Sequence, residues 1–308
     1  MNTTQLPAPA IPVLNAAQTA AALPYKLLVE LLLQAANEKS QGLITAPPRQ
    51  ALPYPRTGVL LSMPATAEDI GVHKLVNVIA DNAERGLPII QGLVSVYDGH
   101  TGTPLFVLDG PTVTKIRTAA VSMMGLKQLW PQPKHAAIIG AGTQAEGHLE
   151  ALQALYPDCQ LSVVARHFER AQQKLGAHFE RGVRLEQQVP DTADVVITTT
   201  NSLTPVYHEP PQAQRLLIAV GAFTPDMAEL PPETVRNSKI YVDDIDGAKE
   251  EAGDLLQAQI AWEKVTSIEV AEAGQTSSTP LLYKTVGCAA WDLAAARCAR
   301  QLLPQSEP

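Results

Sequence analysis

The run Ala136-Ala137-Ile138-Ile139-Gly140-Ala141-Gly142-Thr143-Gln144-Ala145 constrains this chain more than any other stretch. Four apolar residues read as a buried strand, and EGHLEALQAL downstream reads as a helix. Between them, Gly140 permits a tight turn, Gly142 lets the backbone approach a pyrophosphate, and Ala145 allows helix and strand to pack closely. The helix start supplies amide donors and positive potential for an anion. A GxGxxA pattern alone often marks only a turn. Its weight here comes from the alternation that follows: strand QLSVVA, helix ERAQQKLGAHF, and strands VRLEQ, DVVITTT, RLLIAVG and KIYVDD. Strands interleaved with helices build a parallel, doubly wound sheet of the Rossmann type.

The N-terminal third follows another pattern. Asn15 is placed to cap a short helix ending at Leu23-Pro24, and a second helix runs from about Tyr25 to Glu38. The short runs GVLLSMP, HKLVNVIA, QGLVSVYD and PLFVLD, separated by Pro and Gly, predict an α+β domain with a largely antiparallel sheet. A helix opening at Pro111 carries Ile116, Ala119, Ala120, Met123 and Met124 at helical spacing and bridges the domains. A last helix, from about Thr285 through Leu303, returns to the first. The expected fold is therefore α/β: a Rossmann-type domain over 116–285 and a discontinuous α+β substrate-binding and dimerisation domain over 1–115 plus about 286–308. A length of 308 residues with 45% hydrophobic and 18% charged content suits two cores.

A net charge of -8 provides no basic field, which argues against nucleic-acid or anionic-membrane partners. The N-terminus lacks the pattern of an export signal, and the most apolar stretch, Lys26 to Ala36, is interrupted by Glu30. Three cysteines without a CxxC pair fit a reducing cytoplasm. Seven histidines fall into no ligand spacing, so no metal is expected.

An NAD-specific site usually places Asp or Glu at the end of the second strand of the dinucleotide fold. Here that strand ends Val163-Val164-Ala165-Arg166-His167. Arg166, with His167 beside it and Arg170 one turn on, suits a 2′-phosphate, which favours NADPH over NADH. An ordinary solvated arginine is the alternative. Upstream, Arg49 follows two prolines, while Lys74 and Arg117 each sit in an otherwise apolar stretch where an unpaired charge is costly. The pattern leaves a structural salt bridge and the binding of a substrate carboxylate equally open.

Taken together, TGTPLFVLDGPTVTKIRTAAVS, IIGAGTQAEGHLEAL, GVHKLVN, VGAFTPDMAEL and YKTVGCAAWDLAAA resemble the ornithine cyclodeaminase and mu-crystallin family from about Pro12 to Leu303. The resemblance implies a homodimer. It further implies that Arg49 and Arg117 bind the substrate carboxylate, with Lys74 as a proton-handling group beside the reacting carbon. Thr118 would help bind the cofactor phosphate, and Gly140, Gly142, Thr143 and Gln144 would form the pyrophosphate loop. Thr200, Val220 and Thr285 would border the rest of the cofactor.

One departure selects a branch. Where cyclodeaminases carry an Asp that helps expel ammonia, this chain has Phe223, which cannot accept a proton. Asp226 lies three residues on and is a weaker candidate for proton handling. The Phe version resembles the imine reductases, which implies NADPH-dependent reduction of Δ1-pyrroline-2-carboxylate and Δ1-piperideine-2-carboxylate, with Phe223 as an apolar wall for the ring. Ornithine cyclodeaminase, alanine dehydrogenase and a non-catalytic NADPH-dependent ligand-binding protein are the alternatives.

Overall fold

The computed structural model describes residues 10–272, 274 and 278–303, which leaves the proline-rich start and Ser277 outside the described residues. Two helices come first, α1 (Ala16–Ala21) and α2 (Tyr25–Ser40). Asn15 and Gln18 close a reciprocal capping box on α1, satisfying backbone donors that the helix start leaves unpaired. An antiparallel sheet follows: β1 (Gln50–Pro53), β2 (Val59–Thr66), β3 (Ile70–Val78), β4 (Ile90–Asp98) and β5 (Pro104–Asp109), in that spatial order. Alternation along β3 buries Ile70, Val72, Lys74 and Val76 on one face and leaves Leu75 exposed on the other. Lys74 therefore points into the interior with the apolar residues.

The bridging helix α3 (Gly110–Leu129) starts where Asp109 accepts the Thr112 amide and Pro111 occupies the first turn. It is buried on most sides because it packs against β4 on one flank and α4 (Thr143–Leu155) on the other. Gly125 on α3 is obligatory in size, since a Cβ there would come 2.2 Å from the Tyr283 ring.

Beyond α3 the chain builds β6 (His135–Ile139), α4, β7 (Gln160–Val164), α5 (Phe168–Phe179), β8 (Arg184–Glu186), β9 (Val195–Thr198) and β10 (Leu216–Ala219). It continues through α6 (Pro232–Arg236), β11 (Lys239–Val242), α7 (Ile245–Glu251), α8 (Gly253–Ala258), β12 (Val265–Ser267) and β13 (Leu281–Lys284) to α9 (Ala289–Leu302). The parallel sheet has the order β12-β11-β13-β10-β9-β6-β7-β8. The chain leaves β6 in one direction and returns to β9 in the other, which creates a switch-point crevice above the carboxyl ends of these two strands. The doubly wound parallel sheet and the separate antiparallel sheet are thus as expected.

The C-terminal expectation needs correction. No helix runs continuously from Thr285: β13 ends at Lys284, residues 285–288 are non-helical, and α9 begins at Ala289. Gly287, at φ +78°, takes a left-handed conformation that an α-helix interior does not use. Strands β12 and β13 and helices α6 to α8 were also not anticipated. Helix α9 packs against α2, β2 and β3, and its buried alanines permit that close approach.

Candidate active site

The glycine loop has the shape its sequence implies. Gly140 has φ +125°, and a Cβ there would lie 2.7 Å from Thr199 Oγ1. A Cβ on Gly142 would meet nothing within 4 Å, so this backbone faces open space. Gly142 is the N-cap of α4 and provides no side-chain cap for the helix amides. Thr143 is exposed in the first turn, while the buried Gln144 Oε1 has no hydrogen-bond donor. Open backbone and uncapped helix amides suit a dinucleotide pyrophosphate. Thr118 is half-buried on α3, and Arg166, His167 and Arg170 are exposed beyond β7.

The three cations gather at the junction of the sheets, around a carboxylate that the sequence reading did not single out. Asp292, in the first turn of α9 and fully buried, accepts Lys74 Nζ at 2.9 Å and Arg117 Nε at 3.1 Å. Lys74 Nζ also lies 2.8 Å from the second carboxylate oxygen. Burial, reinforced by Arg117, pulls the Lys74 ammonium down to about 8 against the pull of Asp292. Arg49 Nη2 donates to the carbonyls of Val286 and Gly287, each at 3.0 Å, and lies 2.7 Å from Glu251 Oε2. Burial pushes the Glu251 carboxyl up to about 7, although Arg49 opposes the shift. Gly287 links the groups, because a Cβ on it would fall 2.4 Å from Arg117 Nη1. Val286 and Gly287 follow the carboxyl end of β13, which places this cluster beside the edge where doubly wound sheets bind ligands.

The remaining positions occupy the same edge. Thr200 follows β9 and Val220 follows β10, where it is buried. Thr285 follows β13, is buried, and donates its amide to Ala219 O at 3.0 Å. Phe223 is 42% exposed on the loop after β10. Asp226 is exposed and accepts the Thr224 hydroxyl at 2.5 Å; among the described residues no hydrogen bond or ion pair ties it to the Lys74 cluster.

Two buried histidines near α4 are engaged within the protein. His148 is buried between Gln144 O at 2.7 Å and Ser122 Oγ at 2.8 Å, and burial holds it down at about 4. His178 comes within 4.8 Å of Glu146 and Glu150, but Lys115 Nζ already sits 2.9 Å from Glu150.

An open glycine-loop crevice at the switch point of a doubly wound sheet, beside a separate antiparallel sheet, marks a dinucleotide-binding enzyme. The model of the ornithine cyclodeaminase/mu-crystallin family matches residues 12–306, and the chain belongs to that family. It is 48% identical to Delta(1)-pyrroline-2-carboxylate reductase 2 of Burkholderia ambifaria over 95% of this chain and 96% of that protein. Identity is 47% to Delta(1)-pyrroline-2-carboxylate/Delta(1)-piperideine-2-carboxylate reductase of Azospirillum brasilense, over the same shares. The solved Delta(1)-pyrroline-2-carboxylate reductase of Thermococcus litoralis, in complex with NADH and L-proline, shares the fold at TM-score 0.85 and 24% identity, covering 94% of this chain and 97% of that one.

Proposed function

We propose that this chain reduces Δ1-pyrroline-2-carboxylate to L-proline and Δ1-piperideine-2-carboxylate to L-pipecolate, using a reduced nicotinamide dinucleotide with NADPH preferred. The observation that carries this reading is the charge of the cluster. Arg49, Lys74 and Arg117 converge on Asp292 and Glu251, and three cations against two carboxyl groups suit the carboxylate of a monoanionic substrate. The relatives named above act, by their names, on such substrates, and Phe223 replaces the carboxylate that a cyclodeaminase needs.

Each residue then has a definite task. Arg49 and Arg117 hold the substrate carboxylate and turn C2 of the ring toward the crevice, so that orientation supplies much of the rate. Both Lys74 contacts go to Asp292, and its one hydrogen bond there fixes the ammonium while leaving donors available. Lys74, directly or through an ordered water, keeps the ring nitrogen protonated. Asp226 is the weaker candidate for that task. Phe223 offers the ring methylenes an apolar wall. When bound, the reduced nicotinamide supplies a hydride to C2, and the electron pair of the C=N bond passes to the protonated nitrogen.

The pyrophosphate falls to Gly140, Gly142, Thr143 and Gln144, with Thr118 at the phosphate. Arg166, His167 and Arg170 take the 2′-phosphate, while Thr200, Val220 and Thr285 border the remaining cofactor. The lobe boundaries we assign are 1–115 with about 286–308, and 116–285.

We assign the molecule to the cytoplasm and to a homodimer. Three buried free cysteines favour a reducing compartment, and no described helix is long and apolar enough to cross a membrane. Leu52, Leu75 and Leu93 are exposed on the outer face of the antiparallel sheet, a surface suited to a second copy.

The test is oxidation of NADPH with each cyclic imine, followed by identification of proline and pipecolate. A folded protein that binds NADPH but turns over neither imine would remove the proposal.

A further inference from the structure

We infer that Glu229, buried beneath the carboxyl edge of the parallel sheet, is a positioning residue that fixes the nicotinamide side of the cofactor site by gripping the loops after β9 and β10. The inference rests on the nicotinamide-dinucleotide reading above. Glu229 is fully buried, and its two oxygens are divided between the loops. Oε1 accepts the Thr200 amide at 2.5 Å and the Thr200 hydroxyl at 2.8 Å. Oε2 accepts the Gly221 amide at 2.6 Å and the Thr198 hydroxyl at 2.7 Å. The loops also touch through their backbones, because a Cβ on Gly221 would fall 1.8 Å from Thr200 O.

Glu229 is itself held from below. Asp254 Oδ1 accepts the amides of Glu229 and Leu230 at 2.7 and 2.9 Å. The fully buried Lys284 Nζ lies 3.8 Å from Asp254 Oδ2 and donates to the carbonyls of Ala219 and Thr285, both at 3.1 Å. One buried set of charges thus ties together the ends of β9, β10 and β13. Such a set adds little stability over an apolar core of equal volume, so its value lies in geometry. Burial and the neighbouring Asp254 raise the affinity of Glu229 for a proton, and Lys284 opposes them.

The division of labour across the crevice makes this testable. A dinucleotide lying over the switch point places its adenosine half above β7 and β8 and its nicotinamide half above β9 and β10. Glu229 contacts only the second side. Each oxygen takes one backbone N–H, so the amide of Glu229→Gln must turn its NH₂ toward the Thr200 or the Gly221 amide. Donor then faces donor, and one loop moves.

The experiment measures dissociation constants of NADPH and of 2′,5′-ADP, by fluorescence and calorimetry, for the wild type and E229Q, alongside kcat and KM for the imine. We expect E229Q to weaken NADPH about tenfold, lower kcat, and leave 2′,5′-ADP unchanged. Should E229Q fail to fold, T198V removes one donor to the same carboxylate and should weaken NADPH about threefold with the same selectivity. Parallel weakening of both ligands, or wild-type NADPH affinity and kcat, overturns the inference. A wild-type protein that binds NADPH without reducing either imine would instead count against the proposed substrate alone.

Discussion

Removing the charge of Asp292 should move the alkaline limb of the pH-rate profile downward. Lys74 holds its proton below about 8, and the proposed reaction needs that proton, so kcat/KM falls as pH rises through this value. The Asp292 carboxylate lies 2.8 Å from Nζ. At an effective dielectric of about 20, that attraction is on the order of 6 kcal/mol. Asparagine keeps the shape and part of the dipole. If about half the attraction is lost, ~3 kcal/mol corresponds to about two pH units at roughly 1.4 kcal/mol each. The limb in D292N should therefore fall near pH 6, measured as kcat/KM for the imine between about pH 5.5 and 9.5. The substrate titrates identically with both enzymes, so the difference between the profiles belongs to the protein. Loss of one partner from a buried pair also costs about 3–5 kcal/mol of stability, which chemical denaturation measures. A D292N limb that coincides with the wild-type limb, or lies above it, would refute the reasoning.

Further outcomes follow from single positions. Arg166→Asp should weaken NADPH far more than NADH, and equal weakening would remove the assigned 2′-phosphate contact. Gly142→Val should leave the thermal midpoint near its wild-type value, because that position opens onto space, while raising the cofactor dissociation constant at least tenfold; unchanged binding would displace the pyrophosphate from this loop. The Lys74 ammonium binds its proton less tightly in the folded chain, at about 8, than its ordinary value of 10.5. Its stabilising share is therefore full above 10.5 and lost as pH falls through about 8. That gap is worth about 3 kcal/mol, and Lys74→Met should abolish the rise in stability across this window; a variant that keeps the full rise would contradict the assignment. L-Ornithine with catalytic NAD should release no ammonia, since Phe223 cannot act as a base.

The fold was legible wherever a local rule left little choice. Strand β6, Gly140, Gly142 and α4 announce themselves because strand, glycine turn and helix follow one another directly, and short apolar runs between Pro and Gly turns marked β2 to β5. Strand β13 was missed because LLYK is buried on both faces and shows no alternation, and because the helix that follows it invited extension backward across Gly287. The cations could be found from charges embedded in apolar runs. Their partners could not: Asp292 lies 175 positions from Arg117 and 218 from Lys74, so only the tertiary fold brings them together. WDLAAA did carry the signal of one carboxylate in an alanine-rich buried helix. Glu229, Asp254 and Lys284 escaped for the same reason, since their partners are also brought together only by the tertiary fold.

A structure of the protein with NADP⁺ and L-proline bound would test the central claim most directly. The account requires the proline carboxylate to lie against the guanidinium groups of Arg49 and Arg117, with C2 facing C4 of the nicotinamide above the ends of β9 and β10. Proline bound elsewhere, or in the crevice with both arginines turned toward other partners, would contradict it.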